Sequence, residues 1–174
     1  MTQRSKKLVK YVVPTILSSV SYFLFTIIDG IFVGQGVGTN ALGAVNIAFP
    51  FVMVVCACFM LTTIGGVTVV AIRLGRGDEK GANEAFMHSL TATMLVAAAL
   101  CLTGTLLTPL LCRLLGANDT FYQYVYDYIF WYSVFIIPSG LASAMHGFCR
   151  NDGSPILVSA AVIVGALCNI FGDW

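Results

Sequence analysis

Residues 44–72 read AVNIAFPFVMVVCACFMLTTIGGVTVVAI, a stretch without one acidic or basic side chain. An α-helix advances about 1.5 Å per residue, so about 20 largely apolar residues cross the hydrocarbon core of a bilayer. Ala44–Ile72 exceeds that length, and its first charged successor is Arg73. Working outward by the same criterion, the missing charges mark further spans at Tyr11–Gly34, Phe86–Leu111, Tyr124–Met145 and Pro155–Trp174. The expected fold is all-α, a polytopic membrane protein with about five transmembrane helices.

Composition agrees. Of the 174 residues, 58% are hydrophobic and 10% charged, with a mean hydropathy of +0.89, which a small soluble globule could accommodate only with large apolar patches facing water. Between the spans lie turn-forming segments, Gly34-Gln-Gly-Val-Gly38-Thr-Asn40, Gly75-Arg-Gly-Asp-Glu-Lys-Gly81, Gly116-Ala-Asn-Asp-Thr120 and Arg150-Asn-Asp-Gly-Ser-Pro155, each too short for a soluble domain. A net charge of +1 with dispersed basic residues excludes a nucleic-acid binder. The six cysteines (Cys56, Cys58, Cys101, Cys112, Cys149, Cys168) fall mostly in apolar stretches without flanking His or acidic clusters, and read as small packing residues rather than disulfides or metal ligands.

With the N-terminus in the cytoplasm, Arg4, Lys6, Lys7, Lys10, Arg73, Arg76, Lys80 and Arg150 lie inside and only Arg113 outside, as the positive-inside rule asks. The expected location is the inner (cytoplasmic) membrane. The first apolar run exceeds the ~7–15 residues of a signal-peptide core, carries Asp29 and has no small-residue cleavage pattern, so it is expected to remain as a helix.

Ionisable groups are costly in lipid, about 2.5–3.5 kcal/mol for an Asp at a helix centre, and two stand out: Asp29 late in the first span and Asp173 late in the fifth. From helix rise, Asp29 lies ~22 Å beyond Pro14 and Asp173 ~27 Å beyond Pro155, which brings both to the outer half of the membrane. Asn169 is one turn before Asp173 and shares its helix face, where its amide can hydrogen-bond a protonated or ion-bound carboxyl. An apolar wall disfavours a bare carboxylate, and a neighbouring carboxylate disfavours it further, so such a pair takes up a proton near neutral pH; Na⁺ could use the same oxygens. The blander alternatives are that Asp29 snorkels to the outer interface and that Asp173 heads a loop.

Pro14 and Pro50 lie within or near the starts of their spans and Pro138 lies inside the fourth, where a missing N–H permits a kink that can act as a hinge. Gly30-x-x-x-Gly34 reads as helix packing. Gly34-x-Gly36 near Gly38 lacks the βαβ context and spacing of a phosphate loop, and Asn118-Asp-Thr120 fits an N-glycosylation pattern that matters only in a eukaryotic secretory pathway. His88 and His146 fall near cytoplasmic helix ends, in solvated or packing roles. The aromatic run from Phe121 through Tyr122, Tyr124, Tyr126, Tyr128, Phe130, Trp131 and Tyr132 reads as an interfacial belt, with a cavity for flat cations as the alternative.

Taken together, Pro14 to Asp29 with Gly-Ile-Phe-Val-Gly34, Gly36-Val-Gly-Thr-Asn-Ala-Leu-Gly43, Asn46-Ile-Ala-Phe-Pro50, Gly75-Arg-Gly-Asp-Glu-Lys-Gly-Ala82 and Arg150-Asn-Asp-Gly-Ser-Pro155 resemble the N-terminal part of the multidrug and toxic compound extrusion (MATE) transporters, most closely their MepA-like branch. The resemblance covers essentially the whole chain. It implies an N-terminal six-helix lobe that faces a second lobe around a central cavity, in a protein that is no enzyme. That protein would be an antiporter for multidrug efflux, exporting small cationic or amphipathic drugs, antibiotics and other xenobiotics among them, in exchange for H⁺ or Na⁺.

The resemblance also implies that Asp29, Asn169 and Asp173 form the coupling site, with Tyr128 of the fourth span in the same network, Pro14 as a helix hinge and no organic cofactor. Since the chain stops at Trp174 without a sixth helix or second lobe, it is expected to be a truncated product, an incomplete gene model or a deliberate truncation, and the function to belong to its longer parent. A lipid-linked-sugar flippase of the same superfamily would be expected to carry more basic residues for pyrophosphate. An inactive or structural membrane subunit is the non-transport alternative.

Overall fold

The computed structural model describes residues 3–36 and 38–173, with side chains from Val12 to Gly172. Among them there are seven helices and no strand: α1 (Gln3–Gly36), α2 (Thr39–Gly75), α3 (Glu79–Leu106), α4 (Thr108–Leu114), α5 (Tyr122–Val134), α6 (Ile136–Asn151) and α7 (Pro155–Asp173). Four stretches are long and apolar enough to cross a membrane, Val12–Gly36, Thr39–Gly75, Glu79–Leu106 and Pro155–Gly172, and α5 with α6 makes a fifth, bent by 54°. The apolar exterior fits lipid as the solvent, with Leu61, Leu106 and Phe171 each about three-quarters exposed, at 78%, 74% and 77%.

The chain divides into two compact units. In the larger, Thr39–Phe148, the buried side chains of α2 (Ala41, Ala44, Ala48, Val55, Phe59, Thr63 and Val70) recur at helical spacing and form one stripe. Three layers of core succeed each other along it. Ala44 and Ala48 pack with Cys112, Val125 and Ile129; Val55 and Phe59 pack with Ala97 and Ile136; Val70 packs with Ala82, Ala144 and Phe148.

Because lipid offers no hydrophobic drive between helices, close approach must come from small residues. A Cβ on Gly104 would stand 2.2 Å from Ser133 Oγ, and one on Gly140 would stand 2.9 Å from the Phe59 ring and 3.1 Å from the Ala97 Cβ. Ser89 Oγ also donates to the Thr62 carbonyl at 3.2 Å, tying α3 to α2.

The smaller unit, Met1–Gly38 with Cys149–Trp174, pairs the described parts of α1 and α7.

Each of the four expected turn segments holds one glycine with positive φ: Gly38, Gly77, Gly116 and Gly153. At Gly77 (φ 76°) and Gly153 (φ 82°) the reason is visible. The next amide reaches back to the helix, Asp78 N–H to the Arg73 carbonyl at 3.0 Å and Ser154 N–H to the Cys149 carbonyl at 3.1 Å, a closure that needs a left-handed residue. Asp78 then caps α3, its Oδ1 accepting from Gly81 N–H at 2.9 Å, while Arg73 Nη1 donates to the Gly81 carbonyl at 2.7 Å. Asp78→Ala is therefore expected to destabilise this turn by about 1 kcal/mol. Thermal unfolding in detergent measures it, and a melting point equal to wild type would remove the cap from the account.

Two expectations need correction. The third span does not run unbroken over 86–111: α3 ends at Leu106, Leu107 leaves helical geometry (φ −102°, ψ 15°), and α4 restarts with Pro109 in its first turn. A proline lacks the amide N–H and its ring crowds the carbonyl four residues back, so the helix stops ahead of it. The fourth span, where Pro138 permits a kink, is formed by α5 and α6, bent by 54° at Phe135, whereas Pro14 and Pro50 sit inside continuous helices. Finally, the cysteines do not all pack. Cys112 is fully buried, but Cys56 and Cys168 face outward, a position their apolar character permits in lipid.

Candidate functional site

Asp29 stands late in α1 and is half-buried. Asn169 stands in the last turns of α7, also half-buried, and its Oδ1 is buried without a hydrogen-bond partner among the described residues. A buried amide oxygen with no donor is costly, and its two lone pairs remain available as acceptors. Asp173 is the last residue of α7, four positions beyond Asn169 on the same face, and its side chain lies outside the described residues, as does Trp174. These three residues belong to the two helices that pack as the smaller unit.

The chemistry this set can perform is limited and specific. Carboxyl and amide oxygens can hold a proton or a hard cation such as Na⁺. Among the described residues no group of three or more His, Cys, Asp or Glu could hold a transition metal.

At the other end of the same helix pair is a polar cluster that sequence reasoning missed. The Pro14 carbonyl accepts from Ser18 Oγ at 2.9 Å and from Ser159 Oγ at 2.7 Å; the two hydroxyls are 2.8 Å apart, and Ser159 Oγ is 3.0 Å from the Pro155 carbonyl. Both serines are 6% exposed. The signal was present: α1 contains Pro14-Thr-Ile-Leu-Ser18 and α7 begins Pro155-Ile-Leu-Val-Ser159, the same Pro-x-x-x-Ser spacing in both partners.

Tyr128 belongs to the larger unit. It is half-buried on α5, stacked on Tyr132 with ring centroids 6.1 Å apart and planes 13° apart. With Asp127, Trp131, Tyr132 and Phe135 it lines an open groove of about 500 Å³. On another face of α5, Tyr122, Tyr126 and Phe130 form a stacked ladder with spacings of 6.3 and 6.1 Å. His88 is exposed and His146 half-buried.

Long apolar helices, interrupted ahead of Pro109 and Pro138, define a polytopic membrane protein. The chain belongs to the MatE family, whose model matches residues 14–174. The family consists of transporters, which separates this chain from enzymes.

The chain is 29% identical over 121 residues to an FAD transporter of Shewanella oneidensis, a match that covers 68% of this chain and 26% of that protein. In fold it is similar to a MOP superfamily transporter of Pyrococcus furiosus, described as having a binding pocket of reversed polarity that suggests a different function. It is equally similar to a multidrug resistance MATE family transporter of the MOP superfamily in an outward-facing conformation. Both have a TM-score of 0.88 at 24% identity, over 97% of this chain and 37% of theirs. This chain thus spans little more than a third of the solved transporters it matches.

Proposed function

We propose that this chain is the ion-coupling part of the N-terminal lobe of a longer multidrug antiporter of the MepA-like branch. That protein exports small cationic or amphipathic drugs across the cytoplasmic membrane, with the N-terminus on the cytoplasmic side and a second lobe completing the cavity. The observation that carries this reading is the buried, unpartnered Asn169 Oδ1 on the face of α7 that leads to Asp173, in the helix pair that also holds Asp29. A proton on a carboxyl, or a sodium ion, supplies what that oxygen lacks.

Coupling follows from differential affinity. Occupation of Asp29 and Asp173 by H⁺ or Na⁺ favours one packing of α1, with Pro14 as the hinge, and that packing releases drug outward. By linkage, bound drug weakens ion binding by the factor by which bound ion weakens drug binding. The family resemblance gives Tyr128 of α5 a part in the same coupling.

The FAD transporter relative motivates a second reading, export of a flavin dinucleotide. Its pyrophosphate would call for cations in mid-span, and from Thr39 to Gly172 the Lys and Arg residues are only Arg73, Arg76, Lys80, Arg113 and Arg150, all at span ends or in turns. The decisive experiment loads vesicles containing the full-length protein with a lipophilic fluorescent cation or with FAD and imposes proton and sodium gradients separately. Efflux of the cation under one gradient, with FAD retained, is the expected result. Gradient-driven movement of FAD with the cation retained would replace this reading by the second.

A further inference from the structure

We propose that Ser159, acting with Ser18 on the Pro14 carbonyl, is a positioning residue that fixes the axial register of α7 against α1 and so sets the height of Asp29 relative to Asn169 and Asp173. The proposal rests on the coupling reading above but assigns a role to residues that it does not use.

Begin with the protons. Each serine hydroxyl has one, and four acceptor contacts lie within reach. Several arrangements satisfy both hydroxyls, and two of them are opposites. In one, Ser18 donates to Ser159 Oγ and Ser159 donates to the Pro14 carbonyl, a chain that joins the helices. In the other, each serine donates to its own proline, Ser18 to Pro14 and Ser159 to Pro155, and the helices are untied without leaving a hydroxyl proton unpaired. The paired Pro-x-x-x-Ser segments thus provide a clasp with a closed and an open hydrogen-bond pattern, both internally satisfied. At 6% exposure neither serine has water as a routine substitute.

Ser159 bonds to both Pro14 and Ser18, so it sits at the height of the turn between them. When both helices enter from the same side of the membrane, Asp29 stands about 17–22 Å along α1 from that turn, while Asn169 and Asp173 stand about 15 and 21 Å along α7 from Ser159. While the clasp holds, Asp29 is thus kept at about the level of Asn169 and Asp173. Further partly buried positions line both helices, among them Ser21, Phe25 and Phe32 on α1 and Val162, Ala166 and Asn169 on α7. Along such a seam a polar contact at one level specifies the register.

The test uses the full-length protein in vesicles with Ser159→Ala, Ser159→Thr and Asp29→Asn. Interhelical hydrogen bonds in membranes correspond to about a threefold to twentyfold change in an equilibrium. Ser159→Ala is expected to speed amide hydrogen exchange in residues 12–22 by a factor in that range and to shift the pH midpoint of drug efflux, with the drug KM unchanged. Ser159→Thr, which keeps the hydroxyl, is expected to restore both.

A wild-type pH profile in Ser159→Ala, with Asp29→Asn inactive, overturns the positioning role while leaving the coupling reading intact. Unchanged efflux in Asp29→Asn overturns the coupling reading itself, and the exchange measurement then decides the clasp alone. If Ser159→Ala does not accumulate, Ser18→Ala is judged by the same two readouts.

Discussion

Asp29→Asn and Asp173→Asn are each expected to cut gradient-driven drug efflux by roughly 5- to 150-fold, the span that coupling free energies of 1–3 kcal/mol produce. The amide is nearly the same size as the acid but cannot release a proton or carry the charge that attracts a cation. Substrate binding and the alternation between inward and outward states should survive, so exchange of labelled for unlabelled drug without any gradient should continue at a rate near that of wild type. That contrast separates lost coupling from lost folding. If both variants expel drug as wild type does under proton and sodium gradients alike, the carboxylates are interfacial acids and the coupling site lies elsewhere.

Gly104→Leu should have the largest effect on the larger unit. The position is one where α3 and α5 nearly touch: even a single Cβ would collide with Ser133 Oγ at 2.2 Å and approach Phe51 at 3.1 Å. Ser133 is itself fully buried and bonded to the Ile129 carbonyl at 2.6 Å, so it cannot swing into open space. Overpacking of this kind costs about 1–3 kcal/mol or more, and the helices must separate along their whole contact. We expect a lowered melting temperature in detergent and poor accumulation in the membrane. Gly104→Ala combined with Ser133→Gly, which transfers the small residue to the facing helix, should recover most of the loss. A Gly104→Leu protein that melts with wild type would show that the two helices are not in close contact.

The long apolar helices were legible because hydropathy reports burial in lipid directly, and α2 brackets the stretch 44–72 on both sides. The helices run past the apolar limits because turns outside the hydrocarbon are held by caps and backbone hydrogen bonds, as at Asp78, to which hydropathy is blind. The breaks at Leu107 and Phe135 were harder to see. Four prolines look alike in sequence, yet Pro14 and Pro50 are absorbed while Pro109 and Pro138 follow interruptions, and the packing of neighbouring helices decides between kink and break.

Asp29 and Asn169 could be chosen from sequence because a polar group in lipid demands a reason, while Tyr128 came from family resemblance and not from any physical anomaly. Ser18 and Ser159 passed unnoticed because a serine in an apolar helix usually satisfies itself on the carbonyl four residues earlier, and only coordinates reveal the second bond across to another helix.

The pairing of α1 with α7 also has a consequence in time. The partners Ser18 and Ser159 are separated by 141 positions, and at ordinary translation rates of about 5–20 residues per second that separation is roughly 7–28 s of synthesis. For that interval the first helix must wait in the bilayer without the partner helix it packs against. Its packing against α7 is therefore among the late events of biogenesis, and the arrival of α7 is what completes the smaller unit.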